Sequence, residues 1–206
     1  MPTLRDQLDE FLKMGEAKVI DKEVEWNLEA SAIGYAACRL DAPAPWMRKI
    51  KGITNGASLI GEPWAGTFRH PWRRIGMTMG LSPNASYEEF YGAVINRITQ
   101  PIKPTVVSTG PVKDVKIMGK DVDLLKFPWP YVHEGDGGRY ATMQILIAKD
   151  PDSDWVNWAN YRFQLHGKRT IVLPFFEGQQ TSILYFWKYE ARGKPMPISI
   201  SVGDNP

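Results

Sequence analysis

The sequence predicts an α+β fold in which an N-terminal α/β part precedes a mostly β part. Helical periodicity dominates before about residue 112, whereas short strand candidates separated by Gly, Pro or Asp dominate after it. The stretch TQPIKPTVVSTGP, residues 99–111, contains closely spaced prolines and is typical of a linker. We therefore predict two domains, residues 1–112 and 113–206.

Composition and charge exclude several classes of protein. The 206 residues include 25 Lys and Arg against 23 Asp and Glu, whereas a nucleic-acid-binding domain would be clearly basic. No apolar run reaches about 18 residues, so no membrane partner is expected, and the charged N-terminus does not resemble a secretory signal. The single Cys38 excludes an intrachain disulfide and favours a cytoplasmic location. Eight Trp and 16 Pro are typical of an aromatic-lined ligand site or a large subunit interface.

The first predicted elements are two helices with a strand between them. Apolar residues recur at helical spacing over residues 3–14, where Thr3 is a suitable N-cap. Lys18 to Val24 reads as a short strand because it contains three β-branched residues. Leu28 to Leu40 is rich in alanine and predicts a helix, which the proline-rich DAPAPW ends.

Three more elements are predicted before the linker. SLIGEPWAG indicates a strand that runs into a turn, and RHPWRRIGMTMGL indicates a short helix. The clearest helix start lies in SPNASYEEFYGAVINRI, because Ser86 and Glu89 have the spacing of a capping box.

The region after the linker is predicted to contain five strand segments and one helix. SILYFWKYEARG, residues 182–193, is the predicted helix. The predicted strand segments are VKDVKIMG (112–119), TMQILIAKD (142–150), VNWANYRFQLHG (156–167), RTIVLPFF (169–176) and PISISVG (197–203).

Asn157 and Arg162 stand out within the segment 156–167, which alternates like a strand. Asn157 follows the loop DPDSDW, where it could cap a turn. Arg162 could equally be a surface charge. Five residues separate the two, so a regular strand would place their side chains on opposite faces. A bulge or bend is required if both are to line one pocket.

Several longer stretches, taken in order, resemble the UbiD family of decarboxylases, which use prenylated FMN. The stretches are LRDQLDEFLKMGE, VIDKEVEWNLEASAI, VDLLKFPWPYVHEGDGGRY, IAKDPDSDWVNWANYRFQLHG and GKPMPISISVGDNP. The resemblance covers nearly the whole chain but only about the first half of a usual family member. It implies an N-terminal α/β domain followed by part of a split β-barrel-like flavin-binding domain.

The resemblance also implies a set of site residues. Asn157 matches a metal-binding asparagine, and Trp158 matches a position whose backbone carbonyl holds a monovalent cation. Arg162 matches a catalytic arginine, and Thr142 matches a threonine that lines the pocket. Gln179 and Gln180 match a Gln-His pair near the flavin, so Gln180 replaces a metal-binding histidine. The implied cofactors are prenylated FMN, Mn²⁺ or Mg²⁺, and K⁺.

In the family, a metal-binding glutamate and two glutamates of the proton-transfer network follow the matched region. Glu134 and Glu177 are the local glutamates, and neither matches those positions. We therefore expect a further protein chain or a C-terminal region to complete the site. The expected function is reversible decarboxylation of an aromatic or α,β-unsaturated carboxylic acid, with a flavin prenyltransferase as the source of the cofactor. The alternative is a non-catalytic UbiD-like scaffold subunit. Alone, the chain is expected to be insoluble or oligomeric.

Overall fold

The computed structural model describes residues 3–203 and confirms the mixed α+β fold class. Helices predominate before residue 99 and strands after residue 139. None of the described helices is both long and apolar enough to cross a membrane. In the first part the elements are α1 (Leu4–Lys13), β1 (Ala17–Ile20), α2 (Glu29–Arg39), β2 (Ala44–Met47), β3 (Leu59–Ile60), α3 (Arg73–Thr78) and α4 (Tyr87–Ile98).

Helix α1 begins where the sequence predicts. The Thr3 hydroxyl accepts a hydrogen bond from the Asp6 backbone N–H at 3.2 Å, and the Asp6 carboxylate accepts one from the Thr3 N–H at 2.7 Å. This reciprocal capping satisfies two backbone donors that the first turn would otherwise leave unpaired. Ser86 and Glu89 form the same capping box at the start of α4, as predicted.

The first sheet has the order β1-β2-β3, in which β2 is parallel to β1 and antiparallel to β3. The sequence analysis missed β2, because DAPAPW was interpreted only as the end of a helix. Pro45 lies in this central strand although it lacks an N–H, and its carbonyl accepts a hydrogen bond from the Gly61 N–H at 3.0 Å. Helix α1 packs on the sheet through Leu8 and Phe11, which are buried.

The predicted strand from Lys18 to Val24 is shorter in the structure. It ends at Ile20, and Val24 forms only an isolated bridge with Ile50. Helix α2 starts one residue later than predicted, because Leu28 has a φ of 66° and lies outside the helical region.

The predicted strand at residues 112–119 is wrong. Short 3₁₀ turns occupy Pro111–Lys113 and Gly119–Asp121, and Val112 and Val115 are exposed. A strand needs a partner for its backbone groups, and no described strand pairs with this segment.

Contacts between Trp26 and the segment 127–139 join the two parts of the chain. The Tyr131 N–H donates to the Trp26 carbonyl at 3.0 Å, and the Leu28 N–H donates to the Tyr131 carbonyl at 3.0 Å. The Arg139 guanidinium lies 4.2 Å from the centre of the Trp26 ring. Because the two parts share these contacts, the division at residue 112 stays a prediction.

The second part contains two open three-stranded sheets, ordered β4-β7-β8 and β6-β5-β9. The described strands do not close into a barrel. The predicted segment 156–167 is split between the two sheets. The elements are β4 (Tyr140–Ala141), β5 (Ile145–Lys149), β6 (Val156–Asn160), β7 (Phe163–Leu165), β8 (Ile171–Val172), α5 (Gln180–Ile183) and β9 (Ile198–Ser201).

Strands β4 and β5 run antiparallel to β7 and β6 as one long ribbon with a bulge in the middle. Ala141 pairs with Phe163 and Ile145 pairs with Asn160, so residues 142–144 lie opposite only residues 161–162. This unequal count is the signature of a β-bulge, which bends a ribbon and interrupts its ladder of hydrogen bonds. The buried Gln144 side chain donates to the Tyr161 carbonyl, which compensates for the interrupted ladder.

Helix α5 continues beyond Ile183 as a π-helix at Leu184–Tyr189 and a 3₁₀ turn at Glu190–Arg192. The helix predicted at residues 182–193 is therefore present and begins two residues earlier. Leu184 packs into a core that also contains Leu146, Ala148 and Tyr161, so α5 covers one face of the ribbon.

Candidate functional site

Asn157 lies on β6 with its side chain directed towards α5. It is 7% exposed, and its Nδ2 donates a 2.8 Å hydrogen bond to the Thr181 hydroxyl. Its Oδ1 accepts no hydrogen bond from residues 3–203. The side chain is therefore anchored through its nitrogen, and its oxygen stays available to a ligand.

Gln179 and Gln180 stand at the start of α5, beside this contact. Gln180 is the first residue of the helix and is exposed, and it directly precedes Thr181. Gln179 is half-buried, and its Oε1 accepts a hydrogen bond from the Phe176 N–H at 3.3 Å. Because Thr181 touches Asn157, the helix start and the β6 side chain form one end of the candidate site.

Trp158 points away from α5. Its side chain is 66% exposed, and its residue pairs with Ile147 of β5. Strand β6 is at the edge of its described sheet, so one side of its backbone is not covered by a neighbouring described strand. Alternate carbonyls of such an edge strand point away from its neighbour and are accessible to an external cation.

Arg162 and Thr142 lie in the bulged part of the ribbon, opposite each other. Both are exposed, and the Arg162 guanidinium forms no hydrogen bond or ion pair within residues 3–203. The strand is interrupted at residues 161–162, but burial continues to alternate through the interruption. Asn157 and Tyr161 face inward, whereas Trp158 and Arg162 face outward, so the structure does not bring Asn157 and Arg162 to one face.

The polar groups around Asn157 suit a hard cation but do not complete its coordination. Amide and carbonyl oxygens are ligands that Mg²⁺ and Mn²⁺ accept. The free Oδ1 of Asn157 fits this chemistry, and so does the exposed amide of Gln180. Within the part of the chain that the structure describes, no cluster of three His, Cys, Asp or Glu residues could hold a metal. Further ligands would have to come from outside residues 3–203.

An ion pair fixes the far end of this helical segment to the ribbon. Lys188 Nζ lies 2.6 Å from the Asp150 carboxylate, which also accepts hydrogen bonds from the Asp152 N–H and the Ser153 hydroxyl at 3.0 Å each. The Lys188 hydrogen bond, with smaller help from the other donors, holds the pKa of Asp150 below its usual value. Sequence reasoning missed this pair, because its members are 38 residues apart.

The Asp150–Lys188 pair predicts an acid-sensitive stability. A carboxyl whose pKa is lowered by folding stabilises the protein above its unfolded value of about 3.9. That stabilisation is lost as the pH falls through the lower, folded value. Thermal unfolding followed by circular dichroism between pH 5 and pH 2 should show Lys188→Met less stable than wild type at pH 5, with the difference shrinking on acidification. The control is Lys149→Met, since Lys149 is in an exposed pair; a pH-independent difference for Lys188→Met would contradict the prediction.

Sequence reasoning also missed Thr181, Tyr161 and Gln144, which lie behind Asn157. They are buried polar residues on separate elements, and none is part of a recognisable motif. The only local signal was the position of Thr181 directly before the helix predicted at residues 182–193.

Two family models match the chain. The model for the 3-octaprenyl-4-hydroxybenzoate carboxy-lyase N-terminal domain matches residues 8–94. The model for the Rift-related domain of the same carboxy-lyase matches residues 105–206.

Similar proteins of known activity include decarboxylases. Pyrrole-2-carboxylic acid decarboxylase of Pseudomonas aeruginosa is 30% identical over 98% of this chain and 41% of its own length. Phenolic acid decarboxylase of Sedimentibacter hydroxybenzoicus is 27% identical over 98% of this chain and 42% of its own length. The chain thus spans less than half the length of these relatives.

Solved structures show the same partial coverage. Vanillic acid decarboxylase of Sedimentibacter hydroxybenzoicus, in its closed form, matches with a TM-score of 0.90 and 26% identity, over 100% of this chain and 44% of that one. A UbiD-class enzyme of Pelotomaculum thermopropionicum in complex with prFMN matches with a TM-score of 0.83 and 26% identity, over 98% of this chain and 44% of that one. Because the two family models together span nearly all of its sequence, this chain belongs to the UbiD family.

Proposed function

We propose that this chain is the N-terminal part of a prenylated-FMN-dependent carboxy-lyase, with a site completed by residues outside the chain. The substrate is an aromatic or α,β-unsaturated carboxylic acid. The observation that carries the proposal is the uncommitted Oδ1 of Asn157, whose amide nitrogen contacts the residue after Gln180, on the ribbon that also presents an unpaired Arg162. The decarboxylase relatives and the flavin complex of a similar structure support the same chemistry.

The ribbon gives the proposed site two ends. Asn157 and Gln180 are at one end, where their amide oxygens would hold a Mg²⁺ or Mn²⁺ ion. Arg162 and Thr142 are at the other end, in the bulge. Five residues of extended strand span about 16 Å. When the cofactor is bound, Asn157 would hold the metal at its phosphate and the Trp158 carbonyl would hold K⁺. Arg162, which faces the other side of the strand, would act on the substrate.

Arg162 has the properties required to hold the substrate. Removing CO₂ from an sp² carbon requires an electron sink, which the prenylated flavin supplies when it is bound. The guanidinium of Arg162 stays charged at any working pH and matches a carboxylate with two parallel N–H groups. Since residues 3–203 provide no counter-ion for Arg162, its charge is available to a substrate carboxylate or to a glutamate from outside the chain.

The proton that replaces CO₂ requires a general acid, for which a glutamate is suited. Glu134 and Glu177 are exposed, and neither is bonded to Arg162. We therefore assign the acid to a further chain or a C-terminal region. The same residues can serve the reverse reaction, carboxylation. We place the reaction in the cytoplasm, and we propose that a flavin prenyltransferase supplies the cofactor.

Gln180 favours the second candidate function, a non-catalytic scaffold subunit, because it replaces the histidine expected at that position. One experiment separates the two candidates. The chain is co-expressed with a flavin prenyltransferase and purified together with any protein that binds it. The absorbance spectrum and the mass of the released flavin are then measured. Prenylated FMN near one equivalent supports the enzyme, whereas a folded chain without flavin supports the scaffold.

Gln180→His is expected to increase the affinity for Mn²⁺. Imidazole is a better ligand than an amide oxygen for Mn²⁺ and later transition metals, so the affinity should rise by about one order of magnitude. Mn²⁺ titration followed by electron paramagnetic resonance measures the dissociation constant. Gln179→His is the matched control, because the Oε1 of Gln179 already accepts a hydrogen bond from the Phe176 N–H. An equal gain for both variants would show that the Gln180 position is not specific.

A further inference from the structure

A series of buried hydrogen bonds starts at the Asn157 side chain and runs through Thr181 and Tyr161 to Gln144. Of these four residues, the proposed function uses only Asn157. The Thr181 hydroxyl accepts from Asn157 Nδ2 at 2.8 Å, and the Thr181 N–H donates to the Tyr161 hydroxyl at 3.4 Å. The Tyr161 carbonyl in turn accepts from the Gln144 side chain across the bulge. Thr181 is completely buried, and Gln144 is 1% exposed.

We propose that Thr181 is a positioning residue, which holds the amide of Asn157 with its nitrogen inward and its oxygen towards the cation. The inference rests on the proposed function, in which Asn157 binds the metal. It assigns a role to a residue that touches neither the flavin nor the metal.

The role follows from the two-sided chemistry of an amide. Rotation of an asparagine amide by half a turn exchanges a donor for an acceptor, and only the oxygen binds a cation. The Thr181 hydroxyl can donate as well as accept, but here it accepts from Nδ2, which leaves the oxygen as the free atom, and a cation on Oδ1 would keep that orientation. Donation from Nδ2 also polarises the amide and increases the electron density on Oδ1. Groups that orient a ligand in this way typically change metal affinity by about 10- to 100-fold when they are removed.

Thr181 is itself held rigidly enough to orient another residue. Its branched side chain has few rotamers and is fully enclosed, and its backbone N–H is directed at the Tyr161 hydroxyl. Tyr161 lies in the core beneath α5, together with Leu184. Thr181 therefore couples the start of α5, including Gln180, to the strand that carries Asn157.

The test compares Thr181→Val with Thr181→Ser in the protein purified with whatever completes its site and co-expressed with a flavin prenyltransferase. Valine keeps the shape of threonine but removes the hydroxyl, whereas serine retains it. We expect Thr181→Val to weaken Mn²⁺ binding by about 10-fold or more, measured by electron paramagnetic resonance, and Thr181→Ser to bind like wild type. Thr181→Ala replaces the valine variant if that variant does not fold.

The effect of Thr181→Val is also measured in a protein that carries Asn157→Asp. Either oxygen of a carboxylate can bind the metal, so orientation by Thr181 should no longer matter. Adding Thr181→Val to Asn157→Asp is therefore expected to change Mn²⁺ affinity by less than about twofold. Thr67→Val is the matched control, because Thr67 is a buried threonine whose hydroxyl donates to Asp41 in the first part of the chain.

Three results would overturn the positioning role. They are wild-type Mn²⁺ affinity in Thr181→Val, an equal loss in the Asn157→Asp background, and an equal loss in Thr67→Val. A wild-type protein that is folded but binds neither Mn²⁺ nor flavin would overturn the proposed function and this role with it. Urea unfolding of the same variants separates loss of the site from loss of the fold.

Discussion

Arg162→Ala is expected to reduce turnover of the complete enzyme by at least about 100-fold while the flavin stays bound. The side chain is exposed and has no partner within residues 3–203, so its removal should not disturb the fold. Its charge is needed only by groups that arrive from outside the chain, namely a substrate carboxylate or a glutamate. Turnover and flavin content, measured on the same preparation, separate catalysis from cofactor binding.

Two variants sharpen this prediction. Arg162→Lys keeps the charge but loses the planar pair of donors, so partial activity is expected if recognition of the carboxylate is bidentate. Arg169→Ala removes another exposed arginine from the same part of the chain and should retain full activity. Loss of flavin from Arg162→Ala would instead identify Arg162 as a cofactor-binding residue, and unchanged turnover would remove it from the site.

Arg74→Met is expected to lower the free energy of unfolding by about 3–5 kcal/mol. The guanidinium is 1% exposed and donates to the backbone carbonyls of Glu16, Glu62, Gly66 and Ala42, at 2.8–3.3 Å. It also lies 3.5 Å from the Glu16 carboxylate. Without it, these carbonyls lose the guanidinium donors and Glu16 loses a counter-ion. Urea denaturation measures the difference.

Arg73→Met is the control for Arg74. Arg73 precedes Arg74 in the same helix, but it makes a single 3.4 Å contact with Glu16 and is partly exposed. Its replacement should cost no more than about 1 kcal/mol. Similar losses of unfolding free energy in the two variants would contradict the view that the backbone contacts of Arg74 stabilise the N-terminal part of the chain.

Features encoded by neighbouring residues were predictable from the sequence. The N-cap at Thr3 and the capping box at Ser86 are correct, because each depends on side chains and backbone groups within four residues. The alternation over residues 157–165 is also correct, since a strand exposes every second residue regardless of its partner.

Features that depend on a distant partner were not predictable. The segment 112–119 has the composition of a strand but pairs with no described strand, whereas Pro45 lies in a central strand against its usual preference. Pairing depends on which segments meet, and the composition of one segment does not contain that information.

The resemblance in the sequence by itself identified the UbiD family, and it predicted which residues correspond to the family's site. Only the tertiary structure decided how these residues are held. It showed the bulge at residues 142–144, and it brought Thr181 into contact with Asn157 across 24 residues. The physical reason is that an amide, a hydroxyl and a carbonyl are orientated by partners from other elements, and those partners are chosen by packing of the whole fold.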